Sequence, residues 1–312
     1  MIRRPIRSLS ALVIAVVALT GCSTTGVASP STSPHSASPH STPTRAADPR
    51  SEAAARALAE LESQYGATLG VYAVDTGTGR SVGYRQDDRF AYASTSKVLL
   101  AGAVLARSSD EQLDATVPYT SDDLVSYSPI TETMAGAGMP LRDVIAAALQ
   151  KSDNTAANLL FRQLGGPAEL EKSLRALGDE TTEVERTEPD LNEAAPGDPR
   201  DTSTPRALAA DLRAYALGEE LPANRRKLLV DDMTGNATGD PLIRAGAPTG
   251  WTVSDKSGAA SYGTRNDIAV LTAPGHAPVV MVVLSRKAEK DAAYDNALVA
   301  DTAKVLSTAL GL

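Results

Sequence analysis

With 312 residues, 42 % of them hydrophobic and 22 % charged, the chain has the composition of a soluble globular protein and room for one large domain or two small ones. A formal net charge of −8 argues against a nucleic-acid partner, which would require a basic stripe. Three histidines and one cysteine, with His35 and His40 in a low-complexity stretch, cannot supply a His/Cys zinc set, and no cofactor or metal is expected.

The first residues carry Arg3, Arg4 and Arg7 without an acid, and an apolar run follows over Ala11–Leu19. This pattern predicts a secretory signal peptide over residues 1–21, because a spanning helix needs about 20 apolar residues. The ending Leu19-Thr20-Gly21-Cys22 resembles a bacterial lipobox. It implies export, lipidation of Cys22, and an envelope lipoprotein that meets the membrane only through its anchor, with partial release outside the cell allowed. Residues 22–50 are rich in Ser, Thr, Pro and Ala and read as a flexible tether. The folded part is expected over 51–312.

SEAAARALAELESQY, from Ser51 to Tyr65, predicts a helix with Ser51 at its N-cap. Two strands, Thr68–Val74 and Ser81–Arg85, flank the hairpin connector Asp75-Thr-Gly-Thr-Gly79. Helices are expected over Ser96–Ala106, Leu141–Gln150, Thr155–Leu164, Pro167–Leu177, Pro205–Ala216 and Asn224–Met233. Strand character returns at Trp251–Ser254, Asn266–Thr272 and Val279–Ser285. A closing helix near Asp291–Ala309 places Tyr294, Leu298, Val299, Val305 and Leu306 on one face. Strands thus come from both ends of the chain and helices from between. The expected fold is α+β, with three layers: one antiparallel sheet covered by the terminal helices, an inserted all-helical lobe, and the site in the cleft between them.

Four short patterns carry chemistry. Ser94-Thr95-Ser96-Lys97 opens a helical run, and positions three apart share a helix face about 5–6 Å apart, so Lys97 is expected to reach the Ser94 hydroxyl. A serine needs such a neighbouring base to act as a nucleophile. Ser152-Asp153-Asn154 precedes TAANLLF, and Lys256-Ser257-Gly258 closes the strand that begins at Trp251. The stretch from Arg186 through Glu188 to Asp201 is acidic, Pro-rich and aperiodic, as in a compact surface loop. Singly, these read as two helix caps, a strand end and a solvated acid.

Together, Ser-x-x-Lys, Ser-Asp-Asn and Lys-Ser-Gly in this order resemble the motif set of class A β-lactamases and penicillin-binding proteins. SDNTAANLLFRQLGGPAEL, RTEPDLNEAAPGDPRDT and DKSGAASYGTRND are similar to class A sequence, and the resemblance runs from about residue 51 to the C-terminus. It implies hydrolysis of penicillins and cephalosporins through a Ser94 acyl-enzyme, with Lys97 or a Glu188-bound water as acylation base. It further implies an oxyanion hole at the backbone N–H groups of Ser94 and Ala259. Ser152 would relay a proton to the lactam nitrogen, held by Lys256. Lys256, Ser257, Gly258 and Arg265 would border the substrate carboxylate, Asn154 would hold the side-chain amide, and Tyr127 would wall the entrance. Arg186 and Asp201 would close the loop by an ion pair, and Glu188-Pro189 is a candidate cis bond.

Glu188 and Asn192, in Glu-x-x-Leu-Asn spacing, resemble the pair that aims the hydrolytic water. That pair separates a β-lactamase from the two rivals, a DD-peptidase or penicillin-binding protein and a β-lactam sensor lipoprotein that stays acylated. The chain departs from common class A patterns at Ala260, where many members have Gly. Ala93 and Ala260 stand where some carbapenem-hydrolysing members carry a disulfide. A monomer is expected.

Overall fold

The computed structural model describes residues 49–312. The readings of a signal peptide, a tether and a lipidated Cys22 therefore lie outside the described residues, save for the last two positions of the tether. Those two, Pro49 and Arg50, are helical. Helix α1 runs Pro49–Tyr65, so Ser51 lies inside it and is not its cap. Proline suits the first helical position because its fixed φ matches the helix and its missing N–H has no intrahelical acceptor there.

Strand β1 (Thr68–Asp75) turns back into β2 (Ser81–Tyr84) in an antiparallel hairpin. The Asp75 carboxylate holds the turn by accepting from the Gly77 N–H at 2.8 Å and the Thr78 hydroxyl at 2.7 Å. Helices α2 (Ser96–Arg107), α3 (Leu141–Gln150), α4 (Asn154–Leu164), α5 (Pro167–Ala176), α6 (Pro205–Leu217) and α7 (Ala223–Thr234) build the lobe between. Strands β3 (Thr252–Ala260), β4 (Thr264–Thr272) and β5 (Val279–Arg286) and helix α8 (Asn296–Leu310) complete the chain. The sheet order is β2-β1-β5-β4-β3, with every pairing antiparallel.

Both faces of this sheet are covered, which is why β5 is apolar from Val279 to Leu284. Val279, Met281 and Val283 pack with Leu58 of α1 and Leu298 and Leu306 of α8. Val280, Val282 and Leu284 face the helical lobe, whose axis is α2, buried from Ser96 to Leu105. Each fully buried Val or Leu contributes about 1.5–3 kcal/mol, so the two clusters hold the lobes rigidly against one sheet. Among the described residues no helix is long and apolar enough to cross a membrane.

Two expected elements change in ways that matter for the site. The strand beginning near Trp251 does not stop at Ser254 but runs through Lys256-Ser257-Gly258 to Ala260, pairing with β4 to its end. The closing helix begins at Asn296, not near Asp291, because the Asp295 carboxylate caps it by accepting from the Ala297 N–H at 2.9 Å. Tyr294 therefore precedes the helix, is 49 % exposed and does not join the apolar face.

Candidate active site

Strand β3 is the sheet's edge, and its free side runs beside the single 3₁₀ turn Ala93–Thr95 that leads into α2. The approach is close: a Cβ on Gly258 would stand 3.1 Å from the backbone nitrogens of Ser94 and Thr95 and from the Tyr92 carbonyl oxygen. A side chain there would force this backbone to give by a few tenths of an ångström, so glycine suits the strand's close approach to the serine. Asn266 on β4 fixes the turn from below, donating to the carbonyls of Ala91 (2.8 Å) and Tyr92 (3.2 Å). Ala93, Tyr127 and Ser152 all adopt positive φ, at 50°, 61° and 56°. Such backbone costs of order 1–3 kcal/mol per residue and persists where surrounding structure enforces it.

Asp153 is the fully buried clamp of the second motif. It caps α4 through the Ala156 N–H (2.8 Å) and accepts from the Ile130 and Thr131 N–H groups (2.9 Å each). The turn carrying Tyr127 is thereby tied to the motif, and the Tyr127 carbonyl accepts from the Asn154 N–H at 3.0 Å.

Lys97 is 2 % exposed and donates to the Ser152 carbonyl at 2.7 Å and to Asn154 Oδ1 at 2.6 Å, and its Nζ lies 3.0 Å from Glu188 Oε1. Ser152 Oγ lies farther off, at 3.5 Å, and the three closer partners match the three N–H groups of an ammonium. Ser94 Oγ in turn makes its hydrogen bond to Glu188 Oε1, a long one at 3.4 Å. Glu188 is held at every polar atom. Asn192 donates to Oε2 at 2.5 Å, and Asn158 both accepts from the Glu188 N–H (2.9 Å) and donates to its carbonyl (2.8 Å). Glu188-Pro189 is cis. The loop is closed by Asp201, which accepts from Arg186 Nε at 2.5 Å and also from the Glu185 and Arg186 N–H groups (3.0 Å each) and the Tyr92 hydroxyl (3.1 Å).

Lys256 is wholly buried and donates to Ser152 Oγ (2.9 Å) and to the Ser257 carbonyl (2.8 Å). Burial, reinforced by the positive charge of Lys97, pushes its ammonium down to about 7. Burial also lowers Lys97, against the opposing pull of Glu188 and Asp153. Both lysines stand behind the wall of the cleft; Ser257, Gly258, Ala259 and Arg265 form that wall on the sheet side. Arg265 donates to Asn296 Oδ1 at 2.8 Å and lies 5.0 Å from the centre of the Tyr294 ring. The Ser257 hydroxyl is 2.6 Å from that of Thr238.

The cleft is about 510 Å³ and brings together Ser94, Tyr127, Ser152, Asn154, Asn192 and the four sheet-side residues. Asn154 spends one amide N–H on the Ser126 carbonyl (2.9 Å), which leaves the other for a ligand. Sequence reasoning missed Asn158, Thr238, Tyr294 and Asn296. Asn158 had a signal, since it lies four residues from Asn154 on the same helix face. Thr238 and Tyr294 sit in aperiodic segments. Among the described residues no cluster of three or more His, Cys, Asp or Glu is placed to hold a metal ion.

A buried serine hydrogen-bonded to a carboxylate, beside a second serine whose hydroxyl is met by two lysines, facing a strand edge, is the apparatus of serine acyl transfer. The model of the β-lactamase enzyme family matches residues 53–310. The β-lactamase of Bacillus amyloliquefaciens is 56 % identical over 246 residues, covering 79 % of this chain and 80 % of its own. That of Amycolatopsis lactamdurans is 51 % identical over 269 residues, covering 86 % and 89 %. The crystal structure of a class A β-lactamase from Clostridium kluyveri aligns with a TM-score of 0.82 at 49 % identity, over 83 % of this chain and 98 % of that one. The chain belongs to the β-lactamase enzyme family, as a class A serine enzyme that hydrolyses the β-lactam amide.

Proposed function

We propose that Ser94 Oγ attacks the lactam carbonyl of penicillins and cephalosporins, passing its proton to Glu188 directly or through one water. Lys97 has all three N–H groups engaged in the resting site, which supports Glu188 as the acceptor. The oxyanion would be held by the N–H groups of Ser94 and Ala259, where each such donor supplies about 2.7–4 kcal/mol. As the C–N bond breaks, the lactam nitrogen takes the Ser152 hydroxyl proton. Lys97 returns one to Ser152, and Glu188 returns one to Lys97 across their 3.0 Å contact. Glu188 then takes a proton from water, the hydroxide attacks the ester carbonyl, and Ser94 leaves with that proton. Ser257 and Arg265 would hold the substrate carboxylate, with the Lys256 charge behind them, because paired cationic and hydroxyl donors suit an anion. Asn154 would hold the acylamido group and Tyr127 would wall the entrance.

The carrying observation is that one carboxylate oxygen, Glu188 Oε1, meets both the nucleophile and Lys97, while Asn192 holds the other. Nitrocefin turnover by the wild type and by Glu188→Ala, followed by intact mass, tests it. Many turnovers in the wild type and a stoichiometric burst with a persistent acyl mass in the variant are expected. Rapid turnover by the variant would sink the assignment. We further propose, on the sequence patterns alone, that residues 1–21 direct export, that Cys22 is lipidated and anchors the catalytic unit through a tether that ends before α1 begins at Pro49, and that the enzyme is a monomer. Metabolic labelling with a palmitate analogue, lost in Cys22→Ser, would support the anchor; equal labelling of both would refute it.

A further inference from the structure

We infer that Tyr294 is a specificity-determining residue, whose ring reads the substituent beside the substrate carboxylate, the C3 group of a cephalosporin. The inference rests on the reading that Ser257 and Arg265 hold that carboxylate. Tyr294 lines the same cleft as Ser94 and Arg265, yet it is half exposed and its hydroxyl makes no hydrogen bond among the described residues. An aromatic ring in that setting is neither core nor a hydrogen-bonding post. Its place is set by the arginine: the guanidinium carbon lies 5.0 Å from the ring centre, and the same guanidinium donates to Asn296, two residues on. Asp295 between them is fixed as the cap of α8. The ring is therefore presented to the cleft from a pinned segment.

Substrate chemistry gives the ring something to read. In a cephalosporin the carboxylate is borne on C4, which is double-bonded to C3, so the C3 substituent is the carboxylate's nearest neighbour in the plane of the ring. A tyrosine stacked on the arginine that binds the carboxylate borders that substituent. A penicillin offers only a methyl-bearing sp³ carbon there. A conjugated aromatic C3 group stacks on an exposed ring face, an interaction that corresponds to about three- to tenfold in affinity. Tyr127, the other exposed tyrosine of the cleft, is tied to Asn154 on the helical side and borders the opposite end of the substrate.

The test compares nitrocefin and cephalothin, which share an acyl side chain and differ at C3 (dinitrostyryl against acetoxymethyl), together with benzylpenicillin. Tyr294→Ala should raise KM for nitrocefin about three- to tenfold, with kcat within twofold and with KM for benzylpenicillin and cephalothin changed less than twofold. Tyr294→Phe should retain wild-type values, since the π face is kept. Arg265→Leu serves as the control for the carboxylate reading and should raise KM for all three substrates. If Arg265→Leu leaves every KM unchanged, the carboxylate reading falls and takes the inference with it. If Arg265→Leu impairs all three and Tyr294→Ala changes none, or changes all alike, the inference alone is overturned, and the ring does no more than support the arginine.

Discussion

Replacing Lys256 with methionine should make the protein more stable and nearly inactive at once. Lys256 sits at 0 % exposure, and its ammonium falls from 10.5 to about 7 on folding, chiefly by burial and then by the charge of Lys97. At 1.36 kcal/mol per tenfold change in proton affinity, the folded state disfavours the charged form by roughly 5 kcal/mol. The unfolded chain therefore binds more protons than the folded one between about pH 7 and 10.5, so stability rises with pH across that window. The penalty is fully present below about pH 7 and disappears toward 10.5. Methionine removes it while keeping an unbranched chain of similar volume. The change also gives up hydrogen bonds from a charged group to Ser152 Oγ and the Ser257 carbonyl, worth about 1.5–3 kcal/mol each. A net gain of up to about 2 kcal/mol is expected at pH 6–7, shrinking by a similar amount by pH 9. Urea unfolding of both proteins at pH 6, 7, 8 and 9 reads this difference directly, with background titrations shared by the pair. Nitrocefin hydrolysis should fall by about two orders of magnitude or more, since Ser152 loses its support and the cleft loses a cation. A variant less stable than wild type at every pH, or a difference that does not change with pH, would refute the reasoning.

Gly258→Ala should push the strand edge off the nucleophile, because the new methyl meets backbone atoms at 3.1 Å; kcat/KM for nitrocefin should drop about 10²–10³-fold while the melting temperature changes only modestly. An active variant would mean that the strand shifts without cost. Asp201→Ala leaves Arg186 Nε, the Tyr92 hydroxyl and two backbone N–H groups without their acceptor, though Arg186 keeps Glu193, so a loss of about 3 kcal/mol and slowed deacylation are expected, read by urea midpoint and by the lifetime of the acyl mass. Asp211 on α6 is pushed up to about 9 by burial and then by Asp179, so its carboxyl is protonated in the folded state and destabilises increasingly as pH rises from about 4 to 9. Asp211→Asn should therefore gain several kcal/mol at pH 8 and almost nothing at pH 4; an equal effect at both would exclude a raised carboxyl there.

The local elements were legible because burial leaves a period in the sequence. Leu141–Gln150 carries its bounds openly, and Val279–Leu284 shows as an unbroken apolar run because both faces of that strand are covered. The motifs were legible as a set, since Ser94, Lys97, Ser152, Glu188, Asn192 and Lys256 each stand in a recognisable short pattern. Spacing alone could not say which partner Lys97 takes, whereas the contact of Lys256 with Ser152 was implied by the class A resemblance. The spacing places Lys97 beside the serine three residues away, yet its N–H groups go to Ser152, Asn154 and Glu188, which other segments of the chain bring to it. Lys97 and Lys256 titrate below their ordinary range because the fold buries each ammonium group, and Lys97, 159 positions away in sequence, adds its charge against Lys256. Tyr294 read as a core residue of the last helix until the Asp295 cap set where that helix begins. Periodicity and spacing belong to neighbours along the chain and were set by the sequence itself. Burial, charge coupling and the choice among competing hydrogen-bond partners depend on atoms brought together from opposite ends of it, and those the tertiary structure decided.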